Sequence, residues 1–63
     1  MTDRELWAVA NHVLARDGEE GGRRFIAERI GELVLKGDMD GVGVWKLIAV
    51  RFDELAGGER GRH

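Results

Sequence analysis

Large apolar residues return every three or four positions in three separate blocks of this chain. That is the helical period; a half-buried strand would alternate every second residue. Between the blocks stand two glycine-rich stretches, GEEGGRR at residues 18–24 and KGDMDGVGVWK at residues 36–46. Proline is absent, so the strongest helix breaker does not interrupt the blocks. The spacing predicts an all-α fold. It would be a small three-helix bundle, with helices at about 3–16, 23–36 and 39–56 and a tight turn at Gly37-Asp38.

Each block carries its own punctuation. Thr2 followed by Glu5 matches the capping box, with Met1 and Leu6 at the two staple positions around it. Leu6, Ala10, Val13 and Leu14 then form a stripe, flanked by Trp7 and Val9, and Asp17-Gly18 is expected to end the helix. Glu19 and Glu20 suit the approach to a helix N-terminus, where negative charge is favoured. The Gly21-Gly22 pair predicts a loose turn there, because each glycine costs about 1 kcal/mol in a helix relative to alanine. In the second block Ile26, Ile30, Leu33 and Val34 share a face beside Ala27, and Gly31 makes a small-small pair with Ala27. Gly37 follows Lys36 as a helix stop should, and Asp38 is placed to accept from the free N–H groups of the next helix. The third block puts Gly41, Trp45, Ile48, Phe52 and Leu55 on one stripe.

The expected core is therefore Leu6, Ala10, Val13, Leu14, Ile26, Ile30, Leu33, Val34, Trp45, Ile48, Phe52 and Leu55. With 63 residues the chain is one domain, expected over 1–56, with 57–63 a flexible tail after Gly57-Gly58. A core this small is near the lower limit for folding alone, and no cysteine is present to add a disulfide.

Composition narrows the partners. Ten basic and twelve acidic residues leave a net charge of −2, against the basic excess of most nucleic-acid binders. No apolar run approaches the ~18 residues of a membrane span. The opening MTDRELWAVA is acidic and amphipathic, unlike a signal peptide, so the expected address is cytoplasmic.

Chemistry-bearing motifs are thin. Asp38-Met39-Asp40-Gly41 borrows from a calcium loop, but the twelfth position falls on Ala49 where a glutamate ligand is needed. The helix-cap reading of Asp38 is the better account, and no metal is expected. A phosphate-loop reading of GEEGGRR lacks the strand that should precede it. A helix-turn-helix reading fits the short glycine turn. Yet the third helix opens Met39-Asp40-Gly41-Val42-Gly43-Val44, between acids that would repel phosphates. The chain contains no serine, cysteine or tyrosine, and Thr2 already serves as a cap. His12 lies opposite the first stripe. No catalytic residue and no cofactor are expected. Trp7 and Trp45 are expected to pack rather than to stack on a ligand, each indole N–H needing a partner if buried.

Four large apolar residues fall off the predicted stripes: Phe25 and Leu35 in the second block, Leu47 and Val50 in the third. Contiguous exposed apolar surface marks interfaces, so these four are the candidate interface residues. The alternative is a bundle that covers the third helix on two sides and buries them.

Together the segments ELWAVANHVL, FIAERIGELVLKGD and GVGVWKLIAVRFDEL resemble a family of short, uncharacterised alphaproteobacterial proteins, over roughly Glu5 to Leu55. The most specific features are the order FIAERIGEL, Gly37-Asp38, Trp45-Lys46 and Asp53-Glu54-Leu55. Leu47, Val50 and the Gly21-Gly22 pair depart from it. The resemblance implies a small helical fold and no catalytic residues.

The sequence thus predicts a non-catalytic helical adaptor or self-associating module, expected as a homodimer. One alternative is a small DNA-binding regulator using Arg23, Arg24, Arg29, Arg51, Arg60 and Arg62. Another is an inhibitor that captures a larger protein.

Overall fold

A computed structural model describes residues 1–59. It contains two helices, α1 over Asp3–Lys36 and α2 over Met39–Glu59. Every described element is helical, and the turn falls at Gly37-Asp38. The three-helix bundle is corrected to a helical hairpin, because residues 19–22 are helix rather than loop and the helix carries on through a kink at Gly18.

The reason lies in two glycines. Gly18 leaves helical geometry for one residue only (φ 78°, ψ −179°), and the helix resumes at once. It bends α1 without ending it. A straight 34-residue helix would be ~51 Å long, yet the longest dimension of the molecule is 38 Å. Gly22, expected in a loose turn, is buried in the resumed helix. A Cβ there would lie 2.6 Å from two ring carbons of Phe52. The glycine is thus a seat for a ring on the other helix.

Local signals set the helix ends. The Thr2 N–H donates to Glu5 Oε1 at 2.8 Å, and the Glu5 N–H donates to Thr2 Oγ1 at 3.2 Å, completing a capping box. At the other end Gly37 is left-handed (φ 76°, ψ 17°). Its N–H donates to the Val34 carbonyl at 3.0 Å, and the Asp38 N–H to the Leu33 carbonyl at 2.9 Å, using up two orphan acceptors of α1. Asp38 then caps α2, its Oδ1 accepting from the Gly41 N–H at 2.9 Å. Gly57 does not stop α2, which runs past Ala56 to Glu59. Of the expected tail, residues 60–63 lie outside the described residues.

The bend at Gly18 gives α1 two arms. Leu6, Ala10 and Val13 of the first arm meet Ile26 of the second and Ile48, Phe52 and Ala56 of α2 in one cluster. Leu33 and Val42 are buried beside the turn. Leu14, Ile30, Trp45 and Leu55 pack against the cluster while keeping some exposure. Val34, expected in the core, stands half exposed, because the first arm of α1 covers other positions of the hairpin. Asp3 of the first arm accepts from Arg51 of α2 through Nε at 3.1 Å and a terminal nitrogen at 2.9 Å. The same carboxylate accepts from the Trp7 indole at 3.1 Å, so that N–H has its partner.

Candidate interaction surface

The off-stripe residues occupy three different settings. Phe25 is partly buried, its ring meeting Trp45 edge-on at 5.9 Å, with the Arg16 guanidinium 4.6 Å from the ring centre. It is a packing residue at the elbow of α1. Leu35 is 89% exposed at the far end of α1. Leu47 and Val50, one turn apart on α2, are 49% and 48% exposed. Met39 and Gly43 continue their row toward the turn, at intervals of four. A Cβ on Gly43 would meet nothing within 4 Å, so this side of α2 is open to another backbone.

Next to that row, between the second arm of α1 and α2, runs a groove of about 170 Å³. Ile26 and Phe52 lie at its base, and Ala27, Ile30 and Ala49 along its sides. Arg23 and Asp53 close one end as an ion pair. Sequence reasoning missed it. The signal was present in Ala27, Ile30 and Val34, which recur at the same helical intervals as a packing seam. Ala27, read from sequence as half of a small-small pair with Gly31, pairs instead with Ala49 across the hairpin, and the two make the low walls of the groove.

Charges are arranged locally. Arg16 grips Asp17 with two hydrogen bonds of 3.0 and 2.6 Å, which holds the Asp17 carboxyl below the usual carboxylate range. Donation from the Thr2 backbone N–H does the same to Glu5. Three arginines of the expected DNA-binding cluster are occupied: Arg23 by Glu19 and Asp53, Arg29 by Glu32, and Arg51 by Asp3 and Glu54. Arg60 and Arg62 lie outside the described residues. Among the described residues no group of three or more His, Cys, Asp or Glu side chains could hold a metal ion. No helix among them is long and apolar enough to cross a membrane.

No curated protein and no solved structure matches the chain. The profile of a family of unknown function (DUF6961) matches residues 2–60. That span takes in both helices and the turn, so the chain belongs to this family of unknown function.

Proposed function

We propose that the chain is a non-catalytic protein-interaction module that works in the cytoplasm of its alphaproteobacterial host by pairing with itself. The observation that carries this reading is the exposed apolar surface of α2 and the turn: Met39, Leu47 and Val50, with Leu35 beyond them. Apolar side chains in a row on a helix face gain by leaving water, at ~25 cal/mol per Å². A single core of this size also gains from a second copy. The lack of serine, cysteine and tyrosine supports a non-catalytic role. Capture of another protein would use the same surface. Against a DNA-binding role stand Asp38 and Asp40, at the start of the helix that would enter the groove.

Sedimentation at several concentrations tests the proposal. The wild type is expected to pass from monomer to dimer as concentration rises. Leu47→Glu combined with Val50→Arg is expected to stay monomeric with unchanged helix content. A wild type that remains monomeric at every concentration would remove self-association. A double variant that loses its helices at all concentrations would place those residues in the core.

A further inference from the structure

We propose that the groove between the second arm of α1 and α2 is the seat of the second copy, in a two-fold contact with α2 antiparallel to its counterpart. This rests on the self-association reading and says where and in what orientation the pairing occurs.

The face around the groove carries both halves of a fit. Ala27 and Ala49 make low walls; outside the lining, Val50 follows Ala49 on α2 and Val34 lies one turn beyond Ile30 on α1, both half exposed. A two-fold contact needs one patch that complements itself. Here the small residues receive the valines of the second copy, and the valines enter its groove.

The charges repeat this logic. Lys46 and Asp53 lie seven residues apart along α2, two turns on one edge, about 10 Å by helical rise. Among the described residues Lys46 has no ion-pair partner. Asp53 gives Oδ1 to Arg23, has no hydrogen bond to Oδ2 among the described residues, and is 61% exposed. Turning a second α2 end for end about a point between these residues brings each lysine opposite an aspartate, twice. In a parallel arrangement each would face its own kind, which is unfavourable. A partner of a single charge sign would be repelled by one or the other. A second copy of this chain satisfies both.

The experiment reverses one charge at a time in the full chain. Lys46→Glu alone sets acid against acid, and Asp53→Lys alone sets base against base. Each is expected to raise the dimer dissociation constant ~10-fold or more in ~0.1 M salt, read by sedimentation. Mixing the two variants restores opposite charges at both ends, so the mixed dimer should form about as tightly as the wild type. Because Asp53→Lys also removes the Arg23 pair, Ala27→Arg is the second arm. It fills the groove from an exposed position and should abolish the dimer while far-UV circular dichroism stays unchanged. If the wild type dimerises and the variants dimerise equally well, or if the mixture is no tighter than its parts, the groove contact is wrong and self-association stands. If the wild type never dimerises, both fall.

Discussion

A methyl group added at Gly22 would sit 2.6 Å from Phe52 Cε2 and Cζ and 3.1 Å from Val13 Cγ1. A methyl added at Gly31 would meet nothing within 4 Å. Both glycines are helical, so helix propensity alone predicts that alanine stabilises each by up to ~1 kcal/mol. The neighbours reverse the sign at one of them. Phe52 is among the most deeply buried side chains and is held from several sides, so its ring cannot step aside. Overpacking of this kind typically costs ~1–3 kcal/mol. Gly22→Ala is therefore expected to destabilise the fold and Gly31→Ala to stabilise it, as measured by urea unfolding of the two variants side by side. Equal shifts of one sign would mean that Gly22 is not the seat of Phe52.

At the scale of the element, the start of α1 and the turn were legible, whereas the middle of α1 and the end of α2 were not. Thr2 with Glu5, and Gly37 with Asp38, act on backbone groups within five residues, and such signals survive reading one residue at a time. The meaning of Gly22 could not be read that way, because its reason is a ring thirty residues further on. The same limit explains the candidate surface. Leu47 and Val50 announce themselves by size, whereas Ala27 and Ala49 matter through what faces them across the hairpin. The N-terminal half of α1 also carries a pH signature. Glu5 and Asp17 hold their protons less tightly when folded than when unfolded, through the Thr2 N–H and the Arg16 guanidinium respectively. Their contribution is complete above the ordinary carboxylate range and is lost as pH falls through their lowered folded values. Stability is thus expected to be level from about pH 7 to 5 and to decline below ~4. Glu5→Gln with Asp17→Asn should flatten that acid limb in denaturation curves taken at a series of pH values. An acid limb as steep as the wild type's would assign the loss to other carboxylates.

The shape of the whole molecule turns on Gly18. Its bend returns the first arm of α1 to the hairpin, so that Leu6, Ala10 and Val13 reach Ile48, Phe52 and Ala56. Arg51 then fastens Asp3 and lies 5.2 Å from the centre of the Trp7 ring. If α1 were straight, these contacts could not coexist. The dihedrals at Gly18, φ 78° and ψ −179°, fall in a region almost reserved for glycine. Space is not the constraint, since an added Cβ meets nothing within 4 Å. The whole cost of Gly18→Ala therefore lies in the backbone, at ~1–3 kcal/mol. The mirror image of this conformation is ordinary extended backbone, which a D-residue adopts at positive φ without strain. A chain of 63 residues is within reach of chemical synthesis, so the two hands of alanine can be compared at one position. The L-form is expected to lower the unfolding midpoint and shift tryptophan emission to the red as Trp7 loses Arg51. The D-form is expected to match or exceed the wild type, gaining up to ~1 kcal/mol from a stiffer unfolded chain. If both hands cost the same, an unseen steric contact governs position 18. If neither costs anything, the first arm does not depend on the bend for its place on the hairpin.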